Sequence, residues 1–237
     1  MIEDEPQAVK KSELSLTRNL PDIHGELGRV LPEHKSGLIS VYVDILEEWN
    51  RSIRLTGFHN RNEIYRHLVC EPVLAGFFFD VFSASGPLVD FGSGNGSPGI
   101  IFSIMNPDRP VYLVERKLKK RSFLSYLIAR LHLEHVIVLD TLENTLALLT
   151  DATVMEIWMK AISLSSLAEA LPVGWTVPCD IRIRKFGEAD PFFYCQNIIK
   201  NVINSENYNM LPAFSFTVSE CMLSANKDRI VPRGTIR

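Results

Sequence analysis

The chain has 237 residues, 46% hydrophobic and 22% charged, enough to bury a full core and ordinary for one globular domain with an added subdomain. A formal net charge of −3 excludes bulk electrostatic attraction to nucleic acid, so any contact with RNA has to be local. The most apolar stretch, 72–83, stops well short of the roughly 20 residues a membrane-spanning helix needs. The polar, acidic start (MIEDEPQAVKK) does not read as a secretory leader, which makes the cytoplasm the expected location.

Taken in chain order, residues 1–85 read as a small helical subdomain and 86–237 as an α/β domain. Leu38, Val41, Ile45, Trp49 and Ile53 recur at helical spacing with Asp44, Glu47, Glu48 and Arg51 between them, which predicts an amphipathic helix ending near Gly57. A second helix is expected from about Asn62 into the cluster Phe77, Phe78, Phe79. From Pro87 the rhythm changes. Short apolar runs (LVDF, VYLVE, HVIVL, VMEIWM) alternate with helical ones (GIIFSIM, FLSYLIARL, LALL), the pattern of β-α-β units and a mostly parallel twisted sheet. Beyond Pro172 the signal weakens, although 180–186 and 214–222 alternate as strands do.

Cys70, Cys179, Cys195 and Cys221 stand far apart with no C-x-x-C pair, and none of the six histidines has ligand spacing. Reduced thiols and no metal site are expected. Trp49 and Phe77 to Phe79 read as core, Asp44, Glu47 and Glu48 as a solvated helix face, and His67 as a structural hydrogen-bonding residue.

The informative motif is D-F-G-S-G-N-G-S-P-G at 90–99, between an expected strand and a helix that begins near Ser97. Glycines at such a junction let the backbone turn tightly and approach a ligand, and Pro98 suits a first helical turn, where its missing N–H costs nothing. Glu115, 21 residues after Gly94, ends the next strand, where a carboxylate can hold a ribose diol. Gly94, Gly96 and Gly99 also match the dinucleotide fingerprint, so an NAD-type cofactor competes. Asp90, two residues before the first glycine, would face a pyrophosphate unfavourably but suits the ammonium and sulfonium of S-adenosylmethionine. Leu142-Glu143, after the third strand, offers a place for an adenine. A Rossmann-like S-adenosylmethionine-dependent methyltransferase fits best.

Trp49-Asn50, Leu55-Thr56, Arg66-His67-Leu68, the 90–99 string, Glu115 and K-K-R-S-F-L at 119–124 together resemble the bacterial 16S ribosomal RNA guanine-N7 methyltransferase family, also called glucose-inhibited division protein B. The resemblance covers roughly residues 38–167. It implies that Gly92 and Ser97 contact the cofactor, that Leu142 and Glu143 flank the adenine, and that Lys160 takes the place of an arginine at the cofactor and substrate edge. Lys119, Lys120 and Arg121 would face substrate phosphate or form an exposed helix face. Val231 to Ile236, with Arg233, is similar to the family's basic C-terminal tail. The implied activity is methyl transfer to RNA, with guanine N7 of small-subunit ribosomal RNA as acceptor, by a monomer with no dedicated catalytic base and ribosomal RNA or the small subunit as partner. The alternatives are a methyltransferase for a small molecule or another RNA, and a non-catalytic module that binds RNA or protein. Three departures from the family pattern stand out: Cys70-Glu71-Pro72 where an Asp-Ser is usual, Thr141 where an arginine is common, and lysine for arginine at position 160.

Overall fold

The computed structural model describes residues 31–149, 152, 154–171, 180–186, 193–194, 215–216, 218–223 and 231–236. The first amphipathic stretch forms helix α1 (Glu33–Asn50), whose core face is Ile39, Tyr42, Val43, Ile45 and Leu46, while Val41 is 37% exposed. The apolar stripe expected from the sequence is thus rotated by about one residue, Ile45 being common to both. The helix also stops earlier than Gly57, because the Asn50 side chain turns back to accept the backbone N–H groups of Leu55 (2.8 Å) and Thr56 (3.0 Å). That pair of bonds gives the Trp49-Asn50 and Leu55-Thr56 motifs a shared structural purpose.

The second helical stretch, broadly as expected, is one rod in three parts: α2 (Arg61–Ile64), a π-helical turn (Tyr65–Cys70) and α3 (Glu71–Phe78). Pro72 accounts for the wide turn. It has no N–H, and its ring crowds the carbonyl four residues back, that of Leu68. The Glu71 N–H reaches five residues back to the Arg66 carbonyl, and the His67 and Leu68 carbonyls are left without their usual helical donors.

From Leu88 onward, strands and helices alternate as the sequence predicts. The strands β1 (Leu88–Phe91), β2 (Val111–Val114), β3 (Val136–Leu139), β4 (Val154–Lys160) and β5 (Asp180–Phe186) are parallel, in the order β3-β2-β1-β4-β5. Between them run α4 (Gly99–Met105), α5 (Leu118–Leu131), α6 (Leu142–Ala147) and α7 (Leu164–Ala170). A short pair, β6 (Phe193–Tyr194) and β7 (Ser215–Phe216), forms a separate sheet. The main sheet is completed by β8 (Val218–Leu223), antiparallel to β5, and by β9 (Val231–Ile236), antiparallel to β8. The segment expected to be a basic tail is therefore an edge strand. Arg233 stands on it, and its side chain lies outside the described residues, as do Cys179 and Cys195.

Both faces of the parallel strands are covered, as such sheets require. Leu88, Leu113 and Trp158 share one core with α1, the π turn, α3, α4 and α5, whereas Val89, Phe91, Val114, Ile157 and Ile183 face Leu142, Leu146 and Leu167 on the other side. Trp49 packs on Phe123 and Tyr126, and Phe79 and Phe102 pack edge-on against Trp158, so these rings are core. Among the described residues no helix is long and apolar enough to cross a membrane.

A buried charge cluster closes the sheet end away from the glycine loop. Arg109 donates to the carbonyls of Gly86 (2.6 Å) and Val81 (3.0 Å) and pairs with Glu156 (3.2 Å), which also meets Arg184 at 2.9 Å. Burial alone would push the Glu156 carboxyl up, but Arg184 and Arg109 outweigh it and hold it below its usual range. Arg109→Leu strands two buried carbonyls and half of a buried ion pair, so it should destabilise the protein by about 3–5 kcal/mol in urea unfolding at neutral pH. The loss should shrink as pH falls through the Glu156 pKa, because a depressed carboxyl stabilises only while ionised.

Candidate functional site

The first glycine-rich turn lies at the carboxyl end of β1, between β2 on one side and β4 on the other. Chain order reverses direction there, β1 to β3 running one way across the sheet and β4 to β5 the other, so the strand ends part into a crevice at that point. Gly92, Gly94 and Gly96 all have positive φ, +81°, +49° and +90°. The loop is held from three directions. The Gly94 N–H donates to Glu115 Oε2 (3.1 Å), Tyr42 Oη donates to the Asn95 carbonyl (3.2 Å), and Ser97 Oγ donates to the Leu68 carbonyl (2.9 Å).

The glycines differ in what they face. A Cβ on Gly96 would meet Ile100 at 2.8 Å and Leu124 at 3.4 Å, and one on Gly99 would meet Leu113 at 2.4 Å and Asp90 Oδ2 at 2.7 Å, so both serve close packing against the core. A Cβ on Gly92 would land on Ile162 Cδ1, at 1.7 Å. Gly94 is the open one: a Cβ there would find Lys120 Nζ at 3.5 Å, the Gly92 carbonyl oxygen at 3.6 Å and Glu115 Oε2 at 3.9 Å, all ordinary contact distances. The glycine with space before it is therefore Gly94, with Lys120 and Glu115 across from it.

Asp90 is 1% exposed. Its Oδ2 accepts the Gly99 N–H at 3.0 Å, while its Oδ1 has no partner among the described residues. Burial pushes the carboxyl up to about 7, against the Gly99 and Ser93 hydrogen bonds and the charge of Lys160. Glu115 is buried as well, and its second oxygen accepts the Lys117 N–H at 2.8 Å. Burial, with the Asp90 charge, also pushes the Tyr42 hydroxyl up, so it stays a protonated donor to the loop.

The structure sorts the remaining candidates. Lys160, at the end of β4, donates to the His67 carbonyl and to Glu71 Oε2 (2.8 Å), and lies 4.9 Å from the Phe186 ring centre. Glu71 Oε1 meets His67 Nδ1 at 2.6 Å, and the His67 ring stacks on Phe58. His67 thus has the structural hydrogen bond expected of it. Ser97 turns its hydroxyl into the π turn, and its backbone N–H donates to Asn95 Oδ1 at 3.0 Å. Leu142 is 1% exposed and packs in the core, Glu143 is exposed, and Thr141 caps α6 by accepting the Asn144 N–H at 3.1 Å.

The basic run on α5 does not present one face. Lys119 is exposed, Lys120 leans over Gly94, and the Arg121 guanidinium donates to the carbonyls of Glu115 (3.0 Å) and Arg116 (2.6 Å). Near the start of α2, Arg61 is paired with Asp44 of α1 at 2.6 Å, so the expected solvated face of α1 is a salt-bridged one. Tyr42 and Ile162 are not singled out by sequence reading, and Glu71 only as part of a departure from the family pattern. Tyr42 carries the same helical spacing as Ile39 and Leu46 and looks like core until its hydroxyl is placed.

A parallel α/β sheet with a glycine turn at its reversal point, a buried acid on β1 and a second after β2 defines a Rossmann-like α/β protein. The family model described as rRNA small subunit methyltransferase G (GidB) matches residues 36–163, more than half of the chain, and the chain belongs to that family. Relatives named ribosomal RNA small subunit methyltransferase G include one from Mycoplasma genitalium, 37% identical over 99 residues, covering 41% of this chain and 52% of the relative. One from Cronobacter sakazakii is 35% identical over 127 residues, covering 52% and 55%, and one from Moorella thermoacetica is 31% identical over 111 residues, covering 47% and 46%. The chain spans about half the length of the curated relatives it matches. The family match ends just past β4, so the strands β5 to β9 lie beyond it.

Two outcomes test this geometry. Gly96→Val forces a branched residue into positive φ against Ile100 and should cost about 1–3 kcal/mol in thermal or urea unfolding. Gly94→Ala, which meets nothing closer than 3.5 Å, should cost about 1–2 kcal/mol at most, the price of a left-handed alanine. Asp90 adds a pH signature. Because its carboxyl is raised from 3.8 to about 7 on folding, the folded protein keeps a proton that the unfolded chain has released, and stability falls as pH rises through that window. Asp90→Asn should flatten that part of the stability–pH curve; an unchanged slope between pH 4 and 7 would place the proton elsewhere.

Proposed function

We propose that the chain transfers a methyl group from S-adenosylmethionine to RNA, with guanine N7 of 16S ribosomal RNA as acceptor. The observation that carries the cofactor is the buried Asp90 Oδ1, an acceptor with no donor among the described residues, beneath a glycine turn whose open position is Gly94. Such an atom costs free energy until a donor reaches it, directly or through water, and the ammonium of S-adenosylmethionine is a donor of the right charge. Glu115 has lone pairs to spare for a ribose diol. A pyrophosphate would instead meet Asp90, Glu115 and Glu71 with like charge, which disfavours the dinucleotide reading. The residues therefore fit the group: Asp90, Gly92, Gly94, Glu115 and Lys120 would hold it, with the backbone of Ser97, Leu142 and Glu143 at its edges.

When bound, S-adenosylmethionine supplies an activated methyl group. Guanine N7 offers a lone pair and no proton to remove, so the protein has to orient and exclude water rather than act as a base, and orientation can lower the barrier by roughly 7–11 kcal/mol at best. The site agrees with that demand. Lys160 and Glu71 are spent on each other, and Ile162 covers Gly92 with an apolar surface at the mouth where an acceptor ring would lie. The acceptor class rests on family membership. Lys119, with the exposed Arg116 and Lys117 beside it, is the best-placed cation for substrate phosphate. As part of the same reading, the protein acts as a monomer in the cytoplasm on ribosomal RNA or the small subunit.

The decisive experiment maps modified nucleotides by mass spectrometry in RNA from cells with and without the gene. Loss of one 7-methylguanine in 16S RNA supports the reading, and an unchanged RNA map with methyl transfer to a small molecule rejects it. A chain that binds no S-adenosylmethionine in calorimetry would be a non-catalytic relative. With the pure enzyme, kcat at saturating substrates should stay flat from pH 6 to 8, any pH dependence appearing in KM for the cofactor as Asp90 ionises. A bell-shaped kcat profile would exclude guanine N7 as acceptor, since it needs no general base.

A further inference from the structure

Lys160 is placed where a cation is hardest to accommodate. Strands β1 and β4 run in register with Phe91 opposite Met159, so Lys160 stands level with Gly92 at the reversal point of the sheet. It lies close enough to Asp90 for the two charges to interact. In the proposed function the ligand at this crevice carries a permanent positive charge on sulfur, and an uncovered ammonium here would oppose it.

The structure covers that ammonium. Glu71 Oε2 lies 2.8 Å from Lys160 Nζ, the Glu71 side chain is only 16% exposed, and its other oxygen is fixed by His67 at 2.6 Å. The geometry is set by the backbone as well, since the Lys160 ammonium also takes the His67 carbonyl freed in the π turn. Burial would push the Glu71 carboxyl up, but the His67 hydrogen bond and the Lys160 charge outweigh it and hold it ionised. Exposed salt bridges are worth little, but one held at a crevice by two further fixed contacts keeps its charges where they are placed.

We infer that Glu71 is a positioning residue for charge: it neutralises Lys160 at the mouth of the crevice and so lets the site favour a sulfonium over the neutral thioether left after methyl transfer. This rests on the proposed cofactor. It assigns Glu71 a role in discriminating between S-adenosylmethionine and S-adenosylhomocysteine, two ligands that differ by one methyl group and one charge, and hence in release of the product.

The test is calorimetric titration of the whole chain with each ligand, with no turnover involved. Glu71→Gln keeps the shape and an acceptor for Lys160 while removing the charge, and should lower affinity for S-adenosylmethionine about tenfold relative to S-adenosylhomocysteine. Lys160→Met should move the ratio the other way, and the double variant should return it to within about twofold of the parent, as coupled neighbours do. If Glu71→Gln does not fold, the sign of the Lys160→Met shift decides. Equal loss of both ligands in the single variants makes the pair merely structural and overturns the inference while leaving the cofactor in place. A parent chain that binds neither ligand overturns the proposed function and this inference with it.

Discussion

Pro72 has no N–H to give, and much of the site follows from that lack. With Glu71 bonding back to Arg66, two successive carbonyls, those of His67 and Leu68, face inward without helical donors. A buried carbonyl left unpaired costs about 1–3 kcal/mol. The donors come from the two sides of the crevice: Lys160 from the end of β4 and Ser97 from the glycine loop. A break in one helix is thereby converted into two fixed points, one at the end of β4 and one in the glycine loop. Tyr42 adds a third by holding Asn95 from α1. The N-terminal helices thus act as the frame for a loop whose positive φ angles would otherwise leave it free to rearrange.

The fold was legible because alternation of short apolar runs with helical ones survives any detail of packing, and the family was legible because glycines, acids and prolines at 90–99 occur in a fixed string. What escaped was phase and direction. Helix α1 has apolar residues on both sides of its true core face, so spacing alone could not tell Val41 from Tyr42. Lys120 and Arg121 are adjacent in sequence yet about 100° apart around α5, which sends one over Gly94 and the other to the backbone of Glu115 and Arg116. Leu142 is implied by the resemblance to flank an adenine, and the burial of its side chain under the sheet by the packing of α6 is not legible from the sequence.

The departures from the family pattern look independent along the chain and are not so in space. Glu71 and Lys160 are separated by 89 positions and meet at 2.8 Å. An arginine presents a planar fork that suits one bidentate partner, whereas a lysine is a point charge with three donors that can diverge. Here they do diverge, one to a carboxylate and one to a carbonyl that exists as a free acceptor only because of Pro72. The acid at 71, the proline at 72 and the lysine at 160 therefore form one exchange. Its parts would each be unfavourable alone: a proline inside a helix, a buried carboxylate, an ammonium at the crevice.

That exchange also bears on how an RNA could be held. Several cations are committed inside the molecule: Arg61 to Asp44, Arg121 to two carbonyls, Lys160 to Glu71, Arg109 and Arg184 to Glu156. Among the described residues, the exposed cations at the start of α5 are Arg116, Lys117 and Lys119, with Leu118, 69% exposed, set among them. Each phosphate contact contributes only about 0.9 units to the salt dependence of duplex binding, so three such residues give a shallow electrostatic grip on a chain of net charge −3. For the proposed acceptor, these cations need to be supplemented by a fit to the shape of the crevice, where Ile162 covers Gly92 with an apolar surface. A folded RNA surface that presents one guanine edge at the right depth meets that requirement better than a flexible strand, which would lose conformational entropy with few phosphate contacts to offset it.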